Sequence, residues 1–305
     1  MLYDTLVIGS GPGGMTAALY AGRSNLKVGL IEQGAPGGQM NNTSDIENYP
    51  GFETISGPNL SMKMYEPLEK FGVENIYGIV EKIEDHGDFK RVLTGDEHYD
   101  AKTIILATGA KHRLVGVPGE NQYSSRGVSY CAVCDGAFFR DQDLLVIGGG
   151  DSAVEEGIYL TQFAKTVTIV HRRDQLRAQK ILQDRAFAND KIDFIWDSVV
   201  EEIKGDDVKV RSVDIKNVKT GQVINREFGG VFVYVGLDPV SSMVSELGIT
   251  DEVGWVITDD KMKTSCPGIF AIGDIRQKDL RQIATAVGDG AIAGQEVYHY
   301  INDLA

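Results

Sequence analysis

Two stretches of the chain carry the same order of apolar and glycine positions. Residues 6–14 read LVIGSGPGG and residues 145–153 read LVIGGGDSA, so the pattern occurs twice, 139 residues apart. Each apolar run is short, as is typical of a buried parallel strand, and each is followed by a glycine-rich turn. The pattern then predicts helices over residues 15–23 and 154–163, and second strands over residues 27–32 and 166–171. The sequence therefore predicts two βαβ units.

The apolar runs between and after these units indicate how they are connected. Residues 104–110 and 230–236 are predicted to be buried strands, each leading into a segment rich in turn residues. Residues 269–274 are predicted to add one more strand to the first unit. The fold class is then α/β, with two Rossmann-like dinucleotide-binding domains. We expect the second domain to be inserted in the first, with segments 1–113, 114–243 and 244–305.

Both glycine turns have the spacing of a dinucleotide-binding motif. The first glycine makes the turn, the second lets the backbone approach a pyrophosphate, and the third small residue packs the helix on the strand. The pyrophosphate then lies at a helix N-terminus, where backbone N–H groups point towards it. The positions concerned are Gly9, Gly11 and Gly14 in the first copy and Gly148, Gly150 and Ala153 in the second.

The residues at the ends of the second strands separate the two ligands. Glu32 can accept a hydrogen bond from a ribose hydroxyl and would repel a 2′-phosphate, which suits FAD or NAD. The second copy instead ends in His171, Arg172 and Arg173, with Arg177 nearby, and guanidinium groups match a phosphate dianion. This cluster predicts an NADP site, whereas the alternative is a solvated basic loop.

Composition excludes several partners. The 305 residues include 30 Lys and Arg against 44 Asp and Glu, a formal net charge of −14. Such a field repels phosphate backbones and anionic lipid headgroups, so neither nucleic acid nor a membrane is predicted as a partner. With three cysteines, no signal-like N-terminus and no apolar run of membrane-spanning length, we expect a cytoplasmic protein.

Two of the cysteines form a C-x-x-C motif, at Cys131 and Cys134. A zinc site needs four ligands, and the chain has no second C-x-x-C and only five scattered histidines, so no metal is predicted. The spacing favours a redox-active dithiol instead. Asp135 is placed to act as a general acid or base on a thiol, or else to cap the following turn. Cys266, alone before a proline, is expected to be structural, with a sensing thiol as the alternative.

The four motifs, in this order, resemble those of the low-molecular-weight thioredoxin reductases. The resemblance covers essentially the whole chain. Reductases of the glutathione reductase type would carry their cysteines shortly after the first βαβ unit, where this chain has none. Val133 departs from the family, which commonly has Thr at that position, but both sulfurs and Asp135 are present.

The resemblance implies an activity and a set of site residues. NADPH would reduce FAD, and the reduced FAD would reduce the Cys131–Cys134 disulfide. The resulting dithiol would then reduce the disulfide of thioredoxin. Cys134 would face the flavin, Cys131 would attack thioredoxin, and Asp135 would transfer a proton. The resemblance also implies a homodimer, and a rotation of the inserted domain that presents the dithiol and NADPH to the flavin in turn.

The implied cofactor residues fall into two sets. The FAD set is Gly9, Gly11, Pro12, Gly14, Glu32, Gln33, Gly38, Gln39, Asn48, Gly109, Gly273, Asp274, Arg281, Gln282 and Ile283. The NADPH set is Gly148, Gly150, Asp151, Ser152, Ala153, His171, Arg172, Arg173 and Arg177.

Three other functions remain open on the sequence. The chain could reduce another small dithiol protein, oxidise dithiols through a flavin, or bind dinucleotides as a sensor without catalysis. An oxidase would have no use for Arg172, Arg173 and Arg177, and a sensor would have no use for the C-x-x-C.

Overall fold

A computed structural model describes residues 2–43 and 46–303 of the chain. The chain divides into two compact units: a first unit of residues 1–111 and 238–305, and a second unit of residues 112–237. The second unit is therefore an insertion in the first. The boundaries inferred from the sequence, after residues 113 and 243, differ from these crossings by a few residues. Which nucleotide each unit binds stays a prediction.

The elements follow one another in this order. The first unit begins with β1 (Leu2–Ile8), α1 (Pro12–Arg23), β2 (Val28–Glu32), a 3₁₀ turn (Gly38–Asn42), α2 (Gly57–Tyr65), α3 (Pro67–Lys70), β3 (Glu74–Tyr77), β4 (Lys82–Asp85), β5 (Lys90–Thr94) and β6 (Glu97–Leu106). The chain then crosses along β7 (Ala110–His112).

The second unit comprises β8 (Val128–Ser129), α4 (Ala132–Asp135), a 3₁₀ turn (Gly136–Phe139), β9 (Asp143–Ile147), α5 (Asp151–Leu160), β10 (Thr166–Val170), α6 (Lys180–Phe187), β11 (Ile192–Ile195), β12 (Ser198–Gly205), β13 (Val210–Asn217), β14 (Val223–Glu227) and β15 (Gly230–Val233). The chain returns along β16 (Leu237–Pro239), which pairs with β7. The first unit then ends with 3₁₀ turns at Ser242–Val244 and Gly273–Ile275, and with β17 (Ile269–Ala271) and α7 (Ile283–Asp303).

The first unit is built on a sheet of strand order β3-β2-β1-β6-β5-β4, with β17 also paired to β6. The pairings of β1 with β2 and β6, of β2 with β3 and of β17 with β6 are parallel, whereas β4, β5 and β6 pair antiparallel. Leu6 and Val7 of β1 are fully buried, which is why the carboxyl end of this strand is apolar without alternation.

The second unit contains a parallel sheet of order β11-β10-β9-β15-β8, beside a separate antiparallel sheet β12-β13-β14. Strand β9 lies between β10 and β15, and its carboxyl end leads directly into the second glycine turn. The predicted α/β fold class is confirmed, since each of the two units is built on a sheet with parallel strands that leads through a glycine turn into a helix. The antiparallel strands were not predicted.

Several elements begin or end at other residues than predicted. Helix α1 starts at Pro12 rather than at residue 15, because proline has the φ of a first helical residue and lacks the N–H that would be unpaired there. Helix α5 starts at Asp151 and ends at Leu160, and so lies three residues earlier than predicted. The strands predicted up to residues 110 and 236 end at Leu106 and Val233, before turns at glycines of positive φ, 69° at Gly109 and 127° at Gly236. Among the described residues, no helix is both long and apolar enough to cross a membrane.

Glycines allow helices α1 and α7 to pack closely. A Cβ atom at Gly290 of α7 would lie 2.4 Å from the carbonyl oxygen of Gly13 and 3.0 Å from the Cβ of Thr16. A Cβ atom at Gly294, one turn later, would lie 2.7 Å from the Cβ of Tyr20. Helix α7 is therefore held against α1 at backbone distance, and this contact fixes where the first turn of α7 lies.

Two glycines of α7 test this contact. We expect Gly290→Ala to destabilise the protein by about 1–3 kcal/mol, because the new methyl group overlaps the backbone of α1. Gly288→Ala is the matched control, since a Cβ there meets no described atom within 4 Å. Because alanine has lower backbone entropy than glycine in the unfolded chain, Gly288→Ala should stabilise the protein by roughly 0.5–1 kcal/mol. Urea unfolding of both variants measures the difference, and equal effects would contradict the packing argument.

Candidate active site

Cys131 and Cys134 form a disulfide at the start of the short helix α4. Their Cα atoms are 5.3 Å apart, and both residues belong to the second unit. Cys131 is the N-cap of α4, and its Sγ accepts a hydrogen bond from the N–H of Cys134 at 3.1 Å. The C-x-x-C motif is therefore a dithiol pair in its oxidised form, as predicted for a redox site.

The carboxyl group of Asp135, at the end of α4, is joined to the dithiol segment through Ser129. The hydroxyl of Ser129 donates to Asp135 Oδ2 at 2.6 Å and accepts from the N–H of Cys131 at 3.1 Å. Burial raises the pKa of Asp135, and the hydrogen bond from Ser129 opposes part of that rise. The acid form of Asp135 therefore persists to higher pH than in an ordinary aspartate, which suits proton donation to a sulfur.

The alternative role for Asp135, capping the next turn, is not observed. Asp135 does precede the 3₁₀ turn Gly136–Phe139, but its side chain makes no capping hydrogen bond there. Ser129 was missed by the sequence analysis. A serine two residues before a C-x-x-C carries no signal of its own, and only the fold shows that it joins Cys131 to Asp135.

The first glycine turn is a backbone cradle at the N-terminus of α1. Gly9 has φ +101°, and a Cβ atom there would lie 2.6 Å from the carbonyl oxygen of Ala107. A Cβ at Gly14 would lie 1.9 Å from the carbonyl oxygen of Gly9, so only glycine fits. A Cβ at Gly11 would meet no described atom within 4 Å, so the space above the helix N-terminus is open. These are the features that a pyrophosphate requires.

Other predicted residues of the first unit surround this cradle. A Cβ at Gly38 would lie 3.4 Å from the Cα of Gly11. A Cβ at Gly13 would lie 3.0 Å from the carbonyl oxygen of Ala286, and one at Gly273 would lie 3.5 Å from the side chain of Ala286. The first turns of α1 and α7 and the turn after β17 therefore converge. This convergence brings Gln282, Ile283 and Asp274 towards the cradle, although they are far from it in sequence.

The polar side chains of this set are held in place by one another and by the backbone. Asn48 Nδ2 donates to Gln282 Oε1 at 3.0 Å, and Gln39 Nε2 donates to the carbonyl of Ala110 at 2.8 Å. Arg281 Nε donates to the carbonyl of Asp274 at 3.2 Å. The guanidinium of Arg281 also lies 4.0 Å from the ring centroid of Trp255.

Glu32, at the end of β2, is already well bonded. Its Oε2 accepts from the N–H and the hydroxyl of Ser10, at 2.9 and 2.7 Å. Its Oε1 accepts from the N–H groups of Gln33 and Gly34, at 2.7 and 3.1 Å. About four hydrogen bonds fill the accepting capacity of a carboxylate, so a ribose hydroxyl would have to replace the hydroxyl of Ser10. Its role towards a ribose stays a prediction.

Asp274 has a side-chain oxygen that is free to accept a hydrogen bond from a ligand. Its Oδ1 is buried and has no hydrogen-bond partner in the described part of the chain. Burial raises the pKa of Asp274, whereas Lys278 and Arg281 lower it. Because buried polar atoms in native proteins are almost always hydrogen-bonded, this oxygen fits a ligand hydroxyl as its missing donor.

The second glycine turn repeats the first. Gly148 has φ +151°, and a Cβ there would lie 2.5 Å from the carbonyl oxygen of Tyr234 and 2.7 Å from the Cβ of Ala153. A Cβ at Gly150 would meet no described atom within 4 Å. Asp151 and Ser152 are exposed, and the Asp151 carboxylate accepts from the N–H and the side-chain amide of Gln179, at 2.7 and 3.1 Å. Asp151 thus ties the loop before α6 to the turn.

The basic cluster lies beside this second turn. The N–H of Arg177 donates to the carbonyl of Gly149 at 2.7 Å, and Arg172, Arg173 and Arg177 are all exposed. His171 is different, since it is 5% exposed and a Cβ at Gly149 would lie 2.4 Å from its ring. Burial first, and then the three arginines, lower the pKa of His171. His171 therefore packs beneath the turn, whereas the arginines that follow it in the chain are exposed.

Cys266 is remote from the dithiol in sequence, and its thiol has low reactivity. Its Sγ donates to Asp85 Oδ2 at 3.3 Å. Burial and the Asp85 carboxylate raise its pKa to about 11, so the reactive thiolate is scarce at neutral pH. This favours the structural role over a sensing thiol. Within residues 2–43 and 46–303, no group of three or more acidic, His or Cys side chains could hold a metal ion.

A pair of nucleotide cradles and a buried acid beside a dithiol define a nucleotide-dependent disulfide oxidoreductase. Comparison with known proteins agrees: residues 3–290 match the model of the pyridine nucleotide-disulphide oxidoreductases, and the chain belongs to that family.

Several proteins to which the chain is similar are thioredoxin reductases. The chain is 56% identical over 303 residues to that of Listeria innocua, a match covering 99% of this chain and 95% of the relative. It is 55% identical to that of Bacillus subtilis, covering 99% of this chain and 96% of the relative. The crystal structure of thioredoxin reductase from Streptococcus pyogenes superposes with a TM-score of 0.96 at 77% identity, covering 99% of both chains.

Proposed function

We propose that this protein is an NADPH-dependent thioredoxin-disulfide reductase that works through FAD and the Cys131–Cys134 dithiol. The observation that carries the proposal is the Cys131–Cys134 disulfide together with the carboxyl group of Asp135, whose pKa is raised by burial. It occurs in a chain similar over nearly its whole length to thioredoxin reductases. A homodimer is part of the same proposal and rests on the resemblance alone, whereas the proposed cytoplasmic location rests on the small number of cysteines.

FAD fits the first unit. The open space at Gly11, the convergence of α1 and α7, and the unpartnered Oδ1 of Asp274 support a bound dinucleotide with a hydroxyl-bearing chain. Glu32 at the strand end favours a ribose without a 2′-phosphate. When bound, the flavin would supply the hydride and electron chemistry that side chains lack. The residues of the unit would bind it and hold its orientation.

NADPH fits the second unit. Gly148 and Gly150 leave the backbone open to a pyrophosphate, and three exposed guanidinium groups lie beside the same turn. A 2′-phosphate is recognised by such groups through charge-assisted, bidentate hydrogen bonds. NADH lacks that phosphate and would gain nothing from them.

The dithiol transfers two electrons to the protein substrate in two exchange steps. The Cys131 thiolate attacks one sulfur of the thioredoxin disulfide, so a mixed disulfide forms and one substrate sulfur leaves as a thiolate, which takes up a proton. Cys134 then attacks Cys131, which re-forms the Cys131–Cys134 disulfide and releases the second substrate thiol. Asp135 is the proton donor and acceptor for these sulfurs. Since its raised pKa keeps it protonated to higher pH, donation declines only as the pH rises through that raised value.

A second candidate is the reduction of another small dithiol protein, because the same exchange steps serve any accessible disulfide. The dithiol oxidase is less favoured, since the arginine cluster serves a phosphate that an oxidase does not use.

The three cysteines test the electron path. We expect Cys131→Ser and Cys134→Ser each to lower NADPH-dependent reduction of thioredoxin by about a thousandfold or more, because each removes a sulfur that must form a covalent bond. Cys266→Ser is the matched control and should retain turnover. The measurement is NADPH oxidation, with oxidised thioredoxin as acceptor. Turnover in either dithiol variant would exclude the proposed path, and NADPH oxidation that reduces no thioredoxin in the wild type would point to another dithiol protein.

Asp274 tests the flavin site. We expect Asp274→Ala to weaken FAD binding by about tenfold or more, since it removes the buried acceptor that the ligand would satisfy. Asp260→Ala, an exposed acid in the same unit, is the control. Quenching of FAD fluorescence on addition to flavin-depleted protein gives the dissociation constant. Equal constants for the two variants would place the flavin elsewhere.

The arginine cluster tests the choice of nicotinamide cofactor. Replacing Arg172, Arg173 and Arg177 with Gln should raise KM for NADPH at least about tenfold, through loss of charge-assisted hydrogen bonds, and leave KM for NADH nearly unchanged. Arg185→Gln, an exposed arginine on α6, is the control. If KM for both cofactors rose equally, the cluster would not be reading the phosphate.

A further inference from the structure

A second carboxyl group, that of Glu156, lies on α5, the helix that packs against the dithiol helix α4. Glu156 lies on α5, four residues before Leu160, so both side chains are on the same face of the helix. A Cβ at Gly136, directly after α4, would lie 3.1 Å from Leu160 Cδ2. The face of α5 that carries Glu156 therefore packs under the segment that carries Cys131, Cys134 and Asp135.

Tyr234 is hydrogen-bonded to the dithiol helix and interacts electrostatically with Glu156. Its hydroxyl accepts a hydrogen bond of 2.7 Å from the N–H of Ala132, the first residue of α4. Its own N–H donates to the carbonyl of Ile147 at 2.8 Å, so its backbone is fixed to the end of β9. Burial and the charge of Glu156 raise the pKa of Tyr234 well above its usual value, and Asp135 adds to that rise. The Tyr234 hydroxyl thus lies within electrostatic reach of two buried carboxyl groups.

The carboxyl group of Glu156 is not fully hydrogen-bonded. Its Oε2 is buried and has no hydrogen-bond partner among the residues that the structure describes. Burial, together with the neighbouring charge of Glu155, raises the pKa of Glu156 to about 7. Its charge therefore changes near neutral pH, whereas an ordinary glutamate is ionised throughout that range.

The other charged groups around α5 do not offset this carboxyl. Helix α6, which also packs on α5, carries its ionisable groups at exposed positions, namely Lys180, Asp184 and Arg185. Strand β10 has no ionisable side chain. The one acid of β9, Asp143, is at the far end of that strand, where it is hydrogen-bonded to Thr166 and Lys165. On α4 the ionisable groups are Asp135 and the dithiol sulfurs.

We propose that Glu156 is a positioning residue that, with Tyr234, controls how readily the Cys131–Cys134 disulfide is reduced. Ionised Glu156 places a buried negative charge beneath the segment in which reduction creates a thiolate, and so it opposes reduction. Protonated Glu156 does not. The proposal rests on the redox role proposed for the dithiol and does not depend on thioredoxin or NADPH.

The test is the exchange equilibrium between the disulfide and dithiothreitol in the flavin-loaded protein. Under anaerobic conditions one dithiothreitol becomes a cyclic disulfide as Cys131 and Cys134 become thiols, which are alkylated and counted by peptide mass. We expect Glu156→Gln to match the wild type at pH 6, where both side chains are neutral. At pH 8.5 its equilibrium constant for reduction should exceed that of the wild type by roughly 3- to 10-fold, since the buried charge is gone.

Three further variants make the result decisive. Glu227→Gln is the same change at an exposed position of the second unit and should match the wild type at both pH values. Glu156→Asp keeps the charge and should keep the pH dependence. Glu156→Met removes the charge without leaving a buried polar group, and it replaces Glu156→Gln if that variant does not fold.

The proposal would be overturned if the ratio of the two equilibrium constants for reduction, Glu156→Gln to wild type, were the same at pH 6 and pH 8.5. A purely structural role of Glu156 would not depend on its charge. An equal shift in Glu227→Gln would overturn it as well. Failure of the protein to reduce thioredoxin would instead count against the proposed function and leave this measurement intact.

Discussion

The close approach of backbone to backbone at the two glycine turns is the constraint on which the rest of the structure depends. At Gly14 a single added carbon would lie 1.9 Å from the carbonyl oxygen of Gly9, and at Gly148 one would lie 2.5 Å from that of Tyr234. Each helix is therefore fixed with its N-terminus directly above the carboxyl ends of the parallel strands. In the first unit α7 then packs on α1 through Gly290, and this contact brings the turn containing Asp274 to the same place.

In the second unit the same constraint connects the nucleotide turn with the disulfide. Tyr234 crosses behind Gly148 with its backbone and reaches the N–H of Ala132 with its hydroxyl. The residue that closes the glycine turn therefore also anchors the dithiol helix. Two carboxyl groups near the disulfide have pKa values raised by burial: Asp135, at the end of that helix, and Glu156, on α5. Retaining buried acids is costly in stability, and it is understandable where protons must accompany electrons to sulfur.

Much of this could be predicted from the sequence because local patterns determine it. The repeated strand, turn and helix were visible in the order of apolar and glycine positions, and the C-x-x-C identified the dithiol. Contacts between distant segments could not be predicted in this way. Neither the roles of Ser129 and Tyr234 nor the burial of His171 follows from neighbouring residues, because these side chains act through segments brought close only by the fold. Glu156 was hidden for the same reason, since one of two adjacent glutamates on a helix carries no signal until the helix is packed.

The most direct measurement is an anaerobic reduction without any protein substrate. The flavin-loaded protein is mixed with excess NADPH, quenched by alkylation, and digested, and the masses of the peptides containing Cys131, Cys134 and Cys266 are compared with those from an untreated sample. The account predicts that Cys131 and Cys134 each gain one alkyl group only after NADPH, whereas Cys266 reacts alike in both samples. Bleaching of the flavin with the Cys131–Cys134 disulfide left intact would contradict it.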